Sequence, residues 1–423
     1  MTGRSRTVVI GAGLAGLASA HALLADGHDV LVIEANSAPG LGTSFANGGL
    51  LTPSMPEPWN GPGVWRHLLS SLFVRGSPMI LRPAAIPGLL GWGTRFLKKS
   101  SRSHFEAATL DNYRLARYSV ELTLAVCERH RFDIDLSRAG TLCIFRTATD
   151  MAERAAISRL LADHGLAMRI VDADEAVNIE PALAPVRDTL AGAVYLPDDA
   201  RGDAQAFCGA LASVVTGAGG ELRYDTRAVS VLAEGGAVSG VATDAGFVPA
   251  RQVVVAAASA SPALLAVAGV RLQVRPAKGY SITVNVDGLA GLPKVAVQDD
   301  ATHAVLSVLG SRLRIVGIAE FSGFDATLPP QRIAHLESVL DSCLPAIAPK
   351  LDRRRLNPWS GFRPMSADGR PYIGPCGWRG LFVNSGHGAL GWTQAMGSAR
   401  LLADRIAGRE PAIDDKPFDA MRG

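Results

Sequence analysis

Six consecutive residues, Gly11-Ala12-Gly13-Leu14-Ala15-Gly16, constrain this chain more than anything else in it. They follow a valine-rich run, Thr7 to Ile10, and open an apolar-periodic stretch from Leu14 to Ala25 that Gly27 stops. A second strand-like run, Val30 to Glu34, comes next. Strand, tight turn, helix and strand in this order make a βαβ unit of the dinucleotide-binding kind. Gly11 permits the turn, Gly13 lets the backbone approach a pyrophosphate, and Gly16 lets the helix pack on the sheet. The helix start offers free N–H groups and partial positive charge to phosphates. Glu34 stands where an adenosine ribose would be held.

The motif lies near the N-terminus and has no second copy, which points to FAD rather than NAD. Thr43-Ser44 and Asn47-Gly48-Gly49 follow shortly after Glu34. Their small hydroxyl, amide and glycine residues suit a loop lying along phosphates and flavin. At 423 residues the chain is too long for one ordinary core. Apolar residues make up 48% and charged residues 19%, which is globular and argues against disorder. The net charge of +3 is spread along the chain, so no nucleic-acid partner is expected. Cys127, Cys143, Cys208, Cys343 and Cys376 show no CxxC or metal-ligand spacing. Buried free thiols in a reducing cytoplasm are expected, and no metal site. The apolar run from Val8 to Ala20 is interrupted by glycines and is not a signal peptide. Val253 to Val270 carries no charge over 18 residues. It opens on three valines and then carries Ser259, Ser261 and Pro262, so it reads as a buried strand and short helix rather than a membrane span.

Further along, helical patterns run from Phe105 to Arg131, Asp150 to His164, 205 to 217 and Gln331 to Cys343. Strand patterns include Gly140 to Phe145, Tyr280 to Val286 and Arg312 to Ile318. The segment from Leu222 to Val255 alternates short strands with glycine turns, and a glycine-rich loop, Asn384 to Gly391, precedes a last helix to Ala407. The expected fold class is α/β with α+β: a Rossmann-type FAD-binding domain with an interleaved antiparallel β-sheet substrate domain. The expected division gives residues 1–56, 190–262 and 355–423 to the FAD-binding domain and 57–189 and 263–354 to the substrate domain.

Six blocks occur in order: the N-terminal fingerprint; Thr43-Ser44-Phe45-Ala46-Asn47-Gly48-Gly49; Leu196-Pro197-Asp198-Asp199 with Gly202-Asp203; Arg275-Pro276-Ala277-Lys278-Gly279-Tyr280-Ser281; Gly361-Phe362-Arg363-Pro364-Met365 with Asp368-Gly369; and Asn384-Ser385-Gly386-His387-Gly388-Ala389-Leu390-Gly391-Trp392-Thr393. With these blocks the chain resembles, over nearly its whole length, the small-subunit family of bacterial D-amino acid dehydrogenases, within the glycine oxidase and D-amino acid oxidase superfamily. Leu50 departs from the pattern, since the family commonly carries a polar residue after the Asn-Gly-Gly-like turn. The resemblance implies non-covalent FAD, oxidation of D-amino acids to 2-oxo acids and ammonia, and electron delivery to a respiratory quinone. Two alternatives stay open: a cyclic substrate such as D-hydroxyproline or D-proline, and a flavin-binding electron-transfer subunit of a larger complex.

Amine oxidation by a flavin asks for geometry more than acid–base groups: a neutral amine, and a carbon–hydrogen bond aimed at flavin N5 for hydride transfer. The substrate carboxylate asks for a planar bidentate donor. The resemblance places Arg363 in that role. His387 and Tyr280 are the other expected catalytic residues, with His303 behind them. The expected cofactor set is Gly11 to Gly16, Glu34, Ala35, Thr43, Ser44, Asn47, Gly48, Gly49, Val229, Gly361, Gly386, His387, Gly388, Leu390, Gly391, Trp392 and Thr393. The backbone amides after Asn384 would stabilise negative charge at the flavin pyrimidine end.

Residues 59–96 combine Trp59, Trp65, Leu68, Leu69, Leu72, Phe73, Ile80, Leu89, Leu90, Trp92 and Phe96 with Arg66, Arg75, Arg82 and Arg95, and Lys98 and Lys99 follow. Glu57 is the one acid nearby. Apolar side chains beside cations suit anionic lipid headgroups. The segment is therefore expected to contact the membrane or the acceptor, in a cytoplasmic protein peripheral on the inner face of the cytoplasmic membrane.

Overall fold

The computed structural model describes residues 6–65 and 79–422. Its first sheet has six strands in the order Tyr372–Pro375, Leu381–Ser385, Gln252–Val255, Arg6–Ile10, Asp29–Ile33, Glu221–Arg223. All neighbours are parallel except the edge strand Tyr372–Pro375. A parallel sheet is covered on both faces, which is why its strands are runs of valine and isoleucine rather than alternations. Val9 points into a core with Leu17, Leu115, Phe207 and Leu402, from the helices Leu14–Ala25, Arg102–His130, Ala204–Gly217 and Gly391–Ala407. Val8 points the other way, into a core with Val231, Val241 and Leu265. That second layer is the three-stranded sheet Ala228–Glu234, Ala237–Thr243, Gly246–Pro249 and the short helix Ser261–Ala266. The uncharged run after Val253 is thus a buried strand and a helix, and among the described residues no helix is long and apolar enough to cross a membrane.

The second sheet has nine strands. Eight follow the order Asn357–Ser366, Val274–Asn285, Arg312–Phe321, Ala304–Leu309, Ala296–Asp299, Thr141–Phe145, Gly192–Leu196, Arg169–Val171, and Met79–Leu81 pairs with Arg312–Phe321. Most neighbours are antiparallel, and successive side chains alternate between faces. On the far face Tyr280, Ile282, Val284, Leu306 and Ile315 pack against Leu336, Val339 and Leu340 of the helix Pro330–Cys343. The near face carries Ala277, Gly279, Val316 and Arg363, and it forms the wall of the functional cleft. One irregularity interrupts this sheet. Tyr280 is opposite Gly317 and Lys278 is opposite Glu320, so Ile318 and Ala319 together face the single residue Gly279. This is a β-bulge, and Ile318 sits in it at φ 60°.

Sheet membership differs from the expected domain division at two places. Gly192–Leu196 pairs with Thr141–Phe145, and Asn357–Ser366 pairs along its length with Val274–Asn285, so both belong to the second sheet. A strand joins whichever edge offers it a ladder, and chain continuity toward a later helix does not decide that. The two sheets are tied by Asp203, which caps the helix Ala204–Gly217 and ion-pairs with Arg312 and Arg314.

The expected membrane-facing segment is partly corrected. Residues 66–78, with Arg66, Leu68, Leu69, Leu72, Phe73 and Arg75, lie outside the described residues. Trp92 and Phe96 are buried on the inner side of the helix Ile86–Lys98, stacked on each other and packed with Phe321 and Met365. The Trp92 indole N–H donates to the Met365 carbonyl. Arg82 is drawn into an ion pair with Glu320. Apolar content alone had not separated an interior face from an exposed one; helical spacing puts 92 and 96 on one side.

Candidate active site

A cleft of about 1110 Å³ lies between the carboxyl ends of Arg6–Ile10, Gln252–Val255 and Leu381–Ser385 and the near face of the second sheet. In open α/β sheets this is where ligands bind. The three strand ends deliver Gly11, Ala256 and Gly386 to its lining, with Gly11 against Ala256.

The first half of the cleft is made of backbone. Gly11 has φ 109°, and a Cβ there would stand 2.8 Å from the Ala256 carbonyl, so the turn admits glycine only. A Cβ on Gly16 would stand 1.9 Å from the Gly11 carbonyl. Gly16 therefore closes the turn from behind and does not line the cleft. Ala12 does not line it either; its N–H donates to Glu34 Oε2 at 2.7 Å. Glu34 Oε1 accepts from the backbone and side chain of Asn36. The carboxylate is thereby fixed at the lining of the cleft. The N-cap residue of the helix Leu14–Ala25 is Gly13, which has no side chain to cap the first turn. Ser44 Oγ accepts weakly from Leu14 N at 3.4 Å. Ala35, Gly48, Gly49, Gly361, Gly388, Leu390, Gly391 and Trp392 line the same cleft, and Val229 borders it while 62% exposed.

Three polar residues expected at the cofactor, Thr43, Asn47 and Thr393, line the cleft and also make bonds within the protein. Thr43 Oγ1 donates to the Phe362 carbonyl at 2.9 Å. Asn47 Oδ1 accepts from Gly49 N. Thr393 Oγ1 accepts from Thr52 N and donates to the Leu50 carbonyl. Leu50 itself lines the cleft.

The second half is made of side chains. Arg363 projects from Asn357–Ser366 and lies flat on Gly279, where a Cβ would come within 2.2 Å of Nη1. Nη1 donates to the Ile318 carbonyl at 3.1 Å, and the guanidinium stands 5.7 Å from the Trp59 ring. Among the described residues no carboxylate pairs with it, and burial pushes it down to about 10. An uncompensated cation in a half-buried cleft is a ready partner for a ligand carboxylate. His387 is buried and has an Nε2 without a hydrogen-bond partner among the described residues. Burial pushes it down to about 4, so its ring is neutral at ordinary pH.

Tyr280 borders the cleft, but the expectation that it serves the substrate needs correcting. Its ring packs in the far-face core and its hydroxyl donates to Glu320 Oε2 at 3.0 Å. Glu320 also holds Arg82 and Arg332. In this strand Gly279, one position away, faces the guanidinium, and alternation turns Tyr280 from it. His303 is an exposed turn residue at the rim of the cleft.

Several residues in the cleft or behind its loops escaped the sequence. Trp59, expected at a membrane surface, lines the wall beside Arg363. Arg314 Nη1 donates to the Asn47 carbonyl and Ser307 Oγ to the Gly48 carbonyl, clamping the Asn47–Gly49 loop to the second sheet. Period-two alternation could have put Arg314 on the near face with Val316, but no local signal marks the Ile318 bulge.

Comparison with known proteins agrees with this geometry. A family model described as FAD dependent oxidoreductase matches residues 6–405. The D-amino acid dehydrogenase of Paramagnetospirillum magneticum is 39% identical over 409 residues, covering 96% of each chain. That of Rhizobium johnstonii is 38% identical over 418 residues, covering 99% of each. The crystal structure of glycine oxidase from Geobacillus kaustophilus superposes with a TM-score of 0.77 at 24% identity, over 99% of each chain, a likeness of fold.

Proposed function

The chain belongs to the family of FAD-dependent oxidoreductases, and from that premise we propose that it oxidises D-amino acids at the carbon bearing the amine. The products are a 2-oxo acid and ammonia, and the electrons leave for an acceptor other than oxygen. One observation carries the reading: Arg363, an arginine with no carboxylate partner among the described residues, lies on the cleft wall across from a dinucleotide cradle.

The cradle fits FAD. The turn at Gly11 has no room for a Cβ, the helix after it has the glycine N-cap Gly13, and the Glu34 carboxylate stands fixed at the lining. These would hold a pyrophosphate and an adenosine ribose. His387 Nε2, Trp392 Nε1 and Asn384 Oδ1 are buried on the cleft lining without a hydrogen-bond partner among the described residues, and are polar atoms available to the cofactor's other end. Bound FAD supplies the two-electron acceptor for the hydrogen on the substrate's α-carbon.

The chain's own residues bind and orient. Arg363 takes the substrate carboxylate through a bidentate pair and so fixes the α-carbon. His387 is a neutral hydrogen-bonding group and not a cation or a strong base. Trp59 excludes water from the guanidinium's face. Tyr280 keeps the strand in place through Glu320. For the acceptor we infer a membrane quinone, reached through the exposed side chains Trp65, Leu90 and Leu97 next to Lys98.

The test is turnover with a dye acceptor on a panel of D-amino acids, their L-enantiomers and the cyclic D-proline. The reading expects 2-oxo acid and ammonia from D-amino acids and nothing from the L-series. Exclusive use of D-proline would move the substrate to cyclic amines, and an absence of any turnover would defeat the proposal.

A further inference from the structure

Ile318 is a β-branched residue at φ 60°, a region such residues rarely enter. Strain of this kind persists only where the surroundings enforce it, and it gathers at functional sites. The bulge lies where the strand's other edge passes from Ala304–Leu309 to Met79–Leu81, but the pairing with Val274–Asn285 does not need it. Gly317 is opposite Tyr280 and Glu320 is opposite Lys278. If one of the two residues between them were removed, the other would face Gly279, and both flanking pairs would keep their partners and their faces. The register of this pairing therefore does not require the extra residue.

The extra residue does serve Arg363. Its carbonyl is the acceptor for Arg363 Nη1 at 3.1 Å, and the residue it stands opposite, Gly279, is the platform on which the guanidinium lies. Within a regular ladder that carbonyl would be directed at the neighbouring strand's backbone. No protein acceptor among the described residues takes the protons on Nε and Nη2.

We propose that Ile318 is a positioning residue: its bulge aims a main-chain carbonyl at Nη1 and fixes the guanidinium plane over Gly279, leaving Nε and Nη2 for the substrate carboxylate. This rests on the reading of Arg363 as the carboxylate-binding residue. The preceding peptide is anchored too, since the Phe362 carbonyl accepts from both Thr43 Oγ1 and Ser259 Oγ. Main chain and side chain of Arg363 are thus each held by one set of bonds.

The experiment deletes Ile318 in the full-length flavin-loaded protein. It measures flavin content, KM and kcat for a D-amino acid, and the Kd of benzoate, a non-reacting carboxylate, from the perturbed flavin absorbance. Arg363→Lys and Gly279→Ala are measured alongside. The deletion is expected to keep its flavin while kcat/KM falls and the benzoate Kd rises about tenfold or more, as loss of an oriented charge-assisted contact implies. A benzoate Kd within about twofold of the wild type, while the two companion variants weaken it, overturns the role of Ile318 and leaves that of Arg363 standing. Unchanged binding in Arg363→Lys overturns both. Should the deletion fail to fold, replacing Ala319 by L-lactic acid turns the Ile318 carbonyl into a weaker ester acceptor. The benzoate Kd should then rise about threefold, and no change overturns the proposal.

Discussion

The two halves of the cleft are built from different materials. The cradle is backbone: a glycine turn, a helix start with a glycine N-cap, and one carboxylate held by amide N–H groups. It comes from one short stretch of chain. The wall is side chain: Arg363 and Trp59, with Arg314 and the ion-paired groups behind them, brought together from segments far apart in sequence. A site made of backbone needs specific small residues at fixed spacing, so it can be read locally. A site made of side chains needs a sheet to assemble it, and its parts are individually ordinary. On the proposed reading the cradle serves the cofactor and the wall the substrate.

This division predicts where damage falls. Gly16→Ala should have the largest effect, because its Cβ would meet the Gly11 carbonyl, which is backbone and cannot yield. The expected outcome is protein without flavin and with a lowered melting temperature. Retention of flavin in full would break the claim that the turn's closure makes the cradle. Arg363→Lys should leave the cradle untouched and damage the wall, since an ammonium cannot replace a planar fork. Flavin content should be normal, and kcat/KM for D-amino acids should fall by the equivalent of about 2–5 kcal/mol. A normal specificity constant would mean that another group grips the carboxylate.

Two smaller effects sharpen the contrast. Burial pushes the Asp199 carboxyl up to about 7, against the opposing hydrogen bond from Ser54 Oγ. A raised carboxyl keeps its proton in the folded state after the unfolded chain has lost it. Stability from this group is therefore lost as pH climbs from about 4 to about 7, on the scale of about 1.4 kcal/mol per unit. Asp199→Asn should remove that slope, so its stability relative to the wild type should be greater at pH 8 than at pH 5 in urea unfolding. An equal difference at both would show that Asp199 titrates normally. Thr43→Val tests the seam. Its hydroxyl is bonded to Phe362 of the wall, although it follows the cradle in sequence. A few-fold rise in KM with unchanged flavin affinity is expected; weaker flavin retention alone would return Thr43 to the cradle.

Legibility followed the same line. The strand, turn, helix and strand around Gly11 lie within a residue of where the sequence put them, because each is set by short-range pattern. The helices Ala204–Gly217 and Pro330–Cys343 were as plain. Arg363 came from a motif, not from its pattern. Tyr280 lies at the cleft but its hydroxyl is bonded to Glu320; alternation gives two faces without saying which faces the ligand. Trp59 and Trp92 were misjudged because an aromatic side chain covers a cleft or a core as readily as a membrane. The bulge at Ile318 is a property of strand pairing, and pairing is non-local.

The most direct test of the account is anaerobic mixing of the purified flavin-loaded protein with a single D-amino acid, followed by its absorbance with no other protein present. Bleaching of the flavin by the D-amino acid in the wild type, and its suppression at the same concentration in Arg363→Lys with flavin still bound, is the predicted result. A flavin that stays oxidised with every D-amino acid, or that bleaches equally in both proteins, would contradict it.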